Sequence, residues 1–248
     1  MDLIKVRKNK EIFFEEDKVI KLFFENHKTS DILNEALNQA RVQEGTNLNI
    51  PKLLEVTKIN NRWAIVSEKI EGKTITELIK EEPENIDKYL NIFVEVQLTI
   101  LSNSVPMLNR IKEKFTKKLK NATNIEENTK YELLERLNGM KNHTKLCHGD
   151  YHPSNVILKD DGTVYIIDWA HVTQGNASAD AARTYLLFSL DGKKELAEKY
   201  LNLFSEKSSI GKKEIQRWLP IVAATQMTKQ IKEEQEFLSK WINVVDYE

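Results

Sequence analysis

One short stretch near the middle of the chain contains the residues best suited to chemistry. Residues 147–155 read CHGDYHPSN, which includes Asp150 and Asn155, and a second carboxylate follows at Asp168. Between Asn155 and Asp168, two short β-type runs flank the turn sequence DDGT, which predicts a hairpin. Because a hairpin brings its open ends side by side, we expect Asn155 and Asp168 to be neighbours, with Asp150 in the preceding loop.

These residue types suit phosphate chemistry. Amide and carboxylate oxygens are hard ligands of the kind that Mg²⁺ takes together with water and phosphate oxygens. A further carboxylate one loop away can orient an attacking hydroxyl and accept its proton. Kinases use this arrangement for phosphoryl transfer, with an Asp in a loop, an Asn shortly after it and a metal-binding Asp beyond a hairpin.

The same residues allow two other interpretations. A lone Asp or Asn in a loop is usually a turn or cap residue, but three such positions around one hairpin favour a site. Cys147, His148 and His152 also suggest zinc, although zinc sites usually take four ligands and the chain has a single cysteine. We therefore expect Cys147 to be a small buried residue.

Three motifs carry a resemblance to a known family. The HGD triplet that ends at Asp150, the HPSN run that ends at Asn155 and the DW pair that begins at Asp168 resemble the aminoglycoside phosphotransferase family. That family belongs to the protein-kinase-like superfamily and has HGD where protein kinases have HRD. The resemblance implies ATP (or GTP) and Mg²⁺ as cofactors and a small-molecule hydroxyl as acceptor. An aminoglycoside-type antibiotic, an amino alcohol or a sugar is the implied acceptor class.

The resemblance also implies a role for individual residues. Asp150 would be the catalytic base, while Asn155 and Asp168 would hold the magnesium ion. His148 would support the catalytic loop rather than react. Asp180 would begin a helix and brace that loop from behind.

A lysine near the start of the chain is the candidate for phosphate neutralisation. Lys21 lies inside the apolar run VIKLF, where a lysine is costly unless it is paired. The helical stretch that follows offers Glu35, and the two resemble the Lys–Glu pair of kinases. In the alternative interpretation, Lys21 points to solvent on an alternating strand and Lys18 takes its place.

A strand followed by a turn resembles the kinase hinge, whose backbone groups bind adenine. The strand covers residues 63–67 and the turn residues 68–72. The Ser67 carbonyl and the Lys69 amide are the predicted adenine contacts. Gly72 would let the chain turn into the helical part.

The start of the chain departs from the kinase pattern. Kinases cover the phosphates with a glycine-containing loop between their first two strands, but the first glycine here is Gly45. The corresponding segment is basic and contains Arg7, Lys8 and Lys10. These side chains either substitute for the missing glycines or form a solvated hairpin tip.

The hydrophobic pattern changes along the chain from strand-like to helical. Short β-type runs and one helix fill the first part, and mainly helical segments follow Gly72. We predict an α+β, protein-kinase-like, two-lobed fold with an antiparallel sheet and one helix in a small N-lobe. The N-lobe is expected at 1–67, the hinge at 68–72 and the larger, mainly helical C-lobe at 73–248.

Composition limits the partners and the compartment. Lysine and arginine number 37 and aspartate and glutamate 38, and this balance gives no basis for a nucleic-acid partner. The start of the chain lacks an apolar signal segment, and no run is long enough to span a membrane. With a single cysteine, the expectation is a cytoplasmic protein, monomeric or weakly homodimeric, without a membrane partner.

Three questions about function stay open from the sequence. The acidic residues 233–236 and 246–248 would suit a cationic acceptor, or they form a solvated helix face. A nucleotide-binding pseudokinase or regulatory module without turnover is the alternative to an enzyme, and the missing glycines favour it. A kinase of protein side chains would need more than the short segment from Trp169 to Asp180 as a peptide platform.

Overall fold

The computed structural model describes residues 2–242. Its contacts divide the chain into two compact units, each built from two segments. The first unit contains Met1–Tyr89 and Pro153–His171, and the second contains Leu90–His152 and Val172–Glu248. Residues 68–72, the predicted hinge, belong to the first unit. The division into lobes at that hinge stays a prediction.

The first unit is built on a five-stranded antiparallel sheet with strand order β1-β2-β3-β5-β4. One long helix, α1, follows β3 in the chain and packs against β4 and β5. The elements are β1 (Asp2–Val6), β2 (Lys10–Glu15), β3 (Lys18–Phe23), α1 (Thr29–Gly45), β4 (Leu53–Ile59) and β5 (Arg62–Glu68).

Alternation along β3 gives the sheet two different faces. Ile20 and Leu22 pack with residues of β5 into one apolar cluster. Phe23 lies in a second cluster with Ile32 of helix α1, on the opposite face. Since successive side chains of a strand point to opposite faces, Lys21 shares the α1 face with Phe23. The sheet thus directs a lysine towards the helix that carries Glu35.

A small second sheet in the first unit contains the predicted hairpin. Its strand order is β6-β8-β9, and β8 pairs with β9 in antiparallel register, with Val156 opposite Ile166. The remaining elements of this unit are β6 (Lys73–Thr74), α2 (Ile75–Glu81), β8 (Val156–Leu158) and β9 (Val164–Ile166), with 3₁₀ turns at Pro83–Asn85, Pro153–Asn155 and Trp169–His171.

Gly72 packs its backbone closely against β8. It has φ +144°, and a Cβ built there would lie 2.7 Å from the Leu158 carbonyl oxygen and 2.9 Å from Ile157 Cγ2. We expect Gly72→Ala to lower the free energy of unfolding by about 2 kcal/mol, because strand and backbone must move apart. Urea denaturation measures this, with Gly211→Ala as control, since nothing lies within 4 Å of a Cβ at Gly211. Equal stability of the two variants would contradict the packing.

The second unit is mainly helical. Helix α6 lies at its centre, packed against α7, α8 and α9, and is buried along most of its length. The elements are α3 (Ile86–Ser102), which begins in the first unit, α4 (Ile111–Lys120), α5 (Glu127–Gly139), β7 (Lys145–Cys147), β10 (Thr173–Gly175), α6 (Ala177–Leu190), α7 (Lys194–Ser208), α8 (Lys212–Gln216), α9 (Leu219–Met227) and α10 (Lys232–Ser239). Alanines at four positions of α6 allow neighbouring helices to approach closely.

Within residues 2–242, no helix combines the length and the apolar character that crossing a membrane requires.

Candidate active site

Lys21 lies at the centre of an ion-pair network in the first unit. Its Nζ donates to Glu35 Oε1 at 2.7 Å and to Asp168 Oδ1 at 2.9 Å. The pairing of Lys21 with Glu35 is the one that the sequence predicts. Lys18, the rival candidate, is exposed on the same strand. One lysine therefore connects the sheet, helix α1 and the end of the hairpin.

Burial and charge act against each other in this network. Burial alone would lower the pKa of Lys21, but the carboxylates of Asp168 and Glu35 outweigh it and raise that pKa. Lys21 in turn holds the pKa of Asp168 far below its usual range. Burial would raise the pKa of Glu35, and the charges of Lys21 and Lys10 reverse the effect. All three groups are thus charged near neutral pH.

Lys10 is a second lysine bound to Glu35, with contacts at 2.8 and 3.0 Å to the two carboxylate oxygens. The interpretation of Lys10 as part of a solvated hairpin tip is wrong, since its side chain is buried. The reason is register. Lys10 lies opposite Phe23 on β3, so its side chain shares the α1 face with Lys21. Arg7 and Lys8 are exposed before it.

The hairpin brings Asn155 and Asp168 together. The Ile167 N–H donates to the Asn155 carbonyl oxygen at 3.0 Å, just beyond the last strand pair, so Asn155 lies beside the residue before Asp168. Asp168 adopts a left-handed conformation, φ 65°, which a non-glycine residue rarely takes and which often marks a functional position. Its side chain is 37% exposed, whereas Asn155 is buried.

The oxygen donors at this end of the hairpin fit magnesium. Asp168 keeps its negative charge beside Lys21, and Asn155 adds an amide oxygen, so both belong to the hard donor class that Mg²⁺ prefers. A protein that supplies few ligands is normal for this ion, because it retains water and takes phosphate oxygens. The assignment of Asn155 and Asp168 as magnesium ligands stays a prediction.

The predicted adenine contacts lie at the end of strand β5. Ser67 is buried and stands between Val19 of β3 and Leu53 of β4. The Lys69 N–H donates to the Asp17 carbonyl oxygen at 2.7 Å, so a nucleotide base would have to replace that bond. Both residues stay predictions as adenine contacts.

The loop that contains Asp150, in the second unit, is held by buried polar groups. The Gly149 N–H donates to Asp180 Oδ1 at 2.7 Å, and Gln97 Nε2 donates to Asp180 Oδ2 at 3.1 Å. The Asp150 N–H donates to His148 Nδ1 at 3.3 Å, and the His148 side chain is fully buried. Asp180 and His148 thus support the loop, as the family resemblance implies.

Arg183 and His152 lie beside the carboxylate of Asp150 within the second unit. Arg183 Nη2 donates to Asp150 Oδ1 at 3.1 Å, and His152 Nε2 lies 3.8 Å from Asp150 Oδ2. Arg183 is itself buried and fixed by a bond from Nη1 to Gln226 Oε1 of 2.8 Å. A buried guanidinium that is held at both ends gives the Asp150 carboxylate a defined orientation.

The zinc interpretation finds no support. Cys147 is buried, and its thiol contacts the carbonyl oxygens of Lys145 and Asn176. Burial raises the pKa of the Cys147 thiol, so the sulfur stays protonated and is a poor metal ligand. No group of three or more His, Cys, Asp or Glu residues suited to a metal occurs in the part of the chain that the structure describes.

Comparison with known proteins points to one family. Residues 108–214 match the model of a phosphotransferase enzyme family, APH. This segment contains Asp150, Asn155 and Asp168, whereas Lys21 and Glu35 precede it. No curated protein matches the sequence.

Solved structures resemble the chain over nearly its whole length. A thermostable mutant of aminoglycoside phosphotransferase APH(4)-Ia, in ternary complex with ADP and hygromycin B, has a TM-score of 0.71 at 12% identity and covers 96% of this chain and 89% of its own. Together with the family match over residues 108–214, this similarity confirms the resemblance to the aminoglycoside phosphotransferase family. Choline kinase LicA from Streptococcus pneumoniae has a TM-score of 0.62 at 17% identity, with 96% and 86% covered.

The phosphotransferase resemblance confirms the predicted fold class of a kinase-like α+β protein. A third similar structure, the GDP complex of a mutant aminoglycoside 2'-phosphotransferase-IIIa, has a TM-score of 0.60 at 12% identity and covers 97% of this chain and 88% of its own. Together with the family match, these structures support a phosphotransferase that acts on small molecules.

The structure brings Arg183 and Lys10 beside predicted site residues, although the sequence suggests no role for Arg183 and leaves the role of Lys10 open. Arg183 looks like an ordinary helix residue, although its spacing from Asp180 places both on one helix face. The basic run that contains Lys10 fits either a phosphate-binding segment or a hairpin tip, and only the strand register reveals its contact with Glu35. Of the acidic residues near the C-terminus, 233–236 lie in α10, and 246–248 lie outside the described residues.

Proposed function

We propose that this protein transfers the γ-phosphoryl group of ATP (or GTP), with magnesium, to a hydroxyl of a small molecule. The observation that supports this most is the contact of Lys21 with both Glu35 and Asp168, at 2.7 and 2.9 Å. A structural ion pair needs only one acid. A lysine held between a helix glutamate and the metal-binding aspartate is the kinase arrangement for phosphate binding.

The first unit supplies the charges that hold the nucleotide. Lys21 neutralises the α- and β-phosphates, and Glu35 fixes its position from helix α1. Lys10 binds the same glutamate and keeps it charged, which supports Lys21 indirectly. Asn155 and Asp168 would hold magnesium, which when bound neutralises and orients phosphate oxygens.

The second unit supplies the base. Asp150 orients the acceptor hydroxyl and takes its proton as the hydroxyl oxygen bonds to the γ-phosphorus. The bond from that phosphorus to the β–γ bridging oxygen breaks, and the nucleoside diphosphate leaves with the electron pair. Arg183 is a positioning residue, because its bond to Oδ1 at 3.1 Å fixes the direction of the carboxylate.

A screen of acceptors tests this proposal. Wild-type protein is incubated with magnesium and ATP or GTP, and with aminoglycosides, other antibiotics, amino alcohols, sugars and hydroxy acids. Diphosphate release is recorded for each acceptor and compared with Asp150→Asn. Release that depends on both magnesium and one acceptor class supports the enzyme.

The missing glycines favour a second candidate, a nucleotide-binding module without turnover. The segment before Lys10 has none, and backbone amides there are less free to approach phosphate. Nucleotide binding by calorimetry without turnover for any acceptor would favour this module. An intact Asp150 with its own orienting arginine supports the enzyme instead, since a pure binder has no need of a base.

A further inference from the structure

The second unit places four basic side chains near the carboxylate of Asp150. We call them the basic cluster, and they are Lys114, Lys118, Arg183 and Lys229. Arg183 is buried, and the three lysines are half-buried. Half-buried lysines differ from the exposed ones that cover most helices of this chain, because their charges are partly removed from water.

Packing of three helices brings the cluster together. Helices α4 and α6 both pack against α9. Lys114 and Lys118 are one turn apart on α4 and so lie on one face. The Lys229 N–H donates to the carbonyl oxygen of Gln226, whose side chain also binds Arg183. The cluster is therefore tied to Asp150 through Arg183.

Burial and neighbouring positive charges lower the pKa of each lysine in the cluster. Burial, together with Lys118, Arg183 and Lys229, lowers the pKa of Lys114 to about 7. Burial, Lys229 and Arg183 lower the pKa of Lys118 to about 8. Burial and Arg183 also lower the pKa of Lys229. Asp150 opposes this effect at all three lysines, but does not overcome it.

Two described carboxylates act on the lysines of the cluster, and each of them has a further contact. Asp150 binds Arg183, and Glu234, which acts on Lys229, accepts a hydrogen bond from Gln226 Nε2 at 2.6 Å. Repulsion among half-buried cations lowers the stability of the folded protein, so a requirement for folding alone would not favour this arrangement. Four basic side chains around Asp150 and Glu234 give the cluster an excess of positive charge, which is typical of a site that binds an anionic group.

We propose that the basic cluster binds an anionic group of the acceptor, so that the acceptor carries a carboxylate or a phosphate group in addition to the hydroxyl. This rests on the proposed function, in which Asp150 is the base. A lysine cluster beside the base attracts a hydroxy acid or a sugar phosphate and repels a polycation. The acceptor thus differs in charge from the aminoglycosides and amino alcohols that are among the acceptors that the family resemblance implies.

Matched acceptors test the charge preference. Glycerate is compared with glycerol, and ribose 5-phosphate with ribose, with choline and hygromycin B as cationic acceptors. For at least one pair, we expect kcat/KM to be about tenfold or more higher for the anionic member, as a charge-assisted contact provides. The glycerate and ribose pairs distinguish a carboxylate from a phosphate. The advantage should shrink as the salt concentration rises.

Variants locate the preference in the cluster. Lys118→Met and Lys229→Met keep the length of the side chain and remove its charge. Each is expected to lower the ratio of kcat/KM for the anionic acceptor over its neutral counterpart by about tenfold. Lys120→Met is the control, since Lys120 is exposed at the end of the same helix. Binding of ribose 5-phosphate and of ribose by calorimetry gives a readout without catalysis.

The outcomes separate the two proposals. One outcome is that the enzyme prefers neutral or cationic acceptors and that Lys118→Met leaves this preference unchanged. This outcome would overturn the proposal of an anionic acceptor, while the proposed function would stand. A second outcome is that the variants raise the KM for ATP but leave the ratio of kcat/KM for anionic over neutral acceptors unchanged. The cluster would then bind the nucleotide, and the proposal of an anionic acceptor would again be overturned. Binding of ribose 5-phosphate that needs Lys118, without transfer to any acceptor, would overturn the proposed function and leave an anion site without chemistry.

Discussion

Asp150→Asn is expected to lower kcat by about a thousandfold, the range that a positioned general base contributes. The amide has nearly the same shape as the carboxylate but cannot accept the proton of the hydroxyl. It also removes the ionic partner of Arg183, whose Nη2 lies 3.1 Å from Asp150 Oδ1. Initial rates at saturating acceptor measure the effect. The affinity for nucleotide should change by less than about threefold, because the proposed phosphate-binding residues lie in the first unit.

The control for this variant is Asp191→Asn. Asp191 lies at the end of helix α6 in the same unit and is exposed beside Lys193. Its replacement changes the net charge by the same amount far from the base, so kcat should stay at the wild-type value. An Asp150 variant that keeps more than about a tenth of kcat would exclude Asp150 as the base.

Asp168→Asn is expected to lower kcat/KM by about a hundredfold to a thousandfold, as the loss of one preorganised charge at a reacting phosphate does. Asp168 has two roles in the account, as a magnesium ligand and as one of two carboxylates on Lys21. The amide is a weaker magnesium ligand, so the magnesium concentration for half-maximal rate should rise by about tenfold. A magnesium titration at fixed ATP measures both effects.

Asp160→Asn is the matched control for Asp168→Asn. Asp160 is exposed at the turn of the same hairpin, at the end opposite to Asp168. Partial rescue of Asp168→Asn by excess magnesium, with no change in the control, would support the metal role. A rate that falls in Asp168→Asn without any change in magnesium dependence would limit Asp168 to the pairing with Lys21.

The hairpin was predictable from the sequence because its signals are local. A run of turn residues between two β-type runs fixes the pairing of Val156 with Ile166, and this pairing brings Asn155 beside Ile167. The pair of Lys21 and Glu35 was predictable for a related reason. A lysine inside an apolar strand needs a partner, and the following helix offers one.

Features that depend on packing between distant elements could not be predicted. Lys10 contacts Glu35 because β2 and β3 pair with Lys10 opposite Phe23, and a shift by one residue would expose it. The strands β7 and β10 have three residues each, which is too short for an alternating hydrophobic pattern to be recognised in the sequence. Lys118, which reads like a solvated helix residue, joins the basic cluster only because α4 packs against α9.

The fate of the γ-phosphoryl group distinguishes transfer to an acceptor hydroxyl from nucleotide binding without transfer. Wild-type protein and Asp150→Asn receive ATP labelled with ³³P in the γ position, magnesium and the acceptor that the screen selects, and the labelled products are identified by mass spectrometry. We predict a labelled phosphate monoester on a hydroxyl of the acceptor, formed by the wild type and almost absent with the variant. Label that stays on ATP, or that appears on the acceptor equally with both proteins, would contradict it.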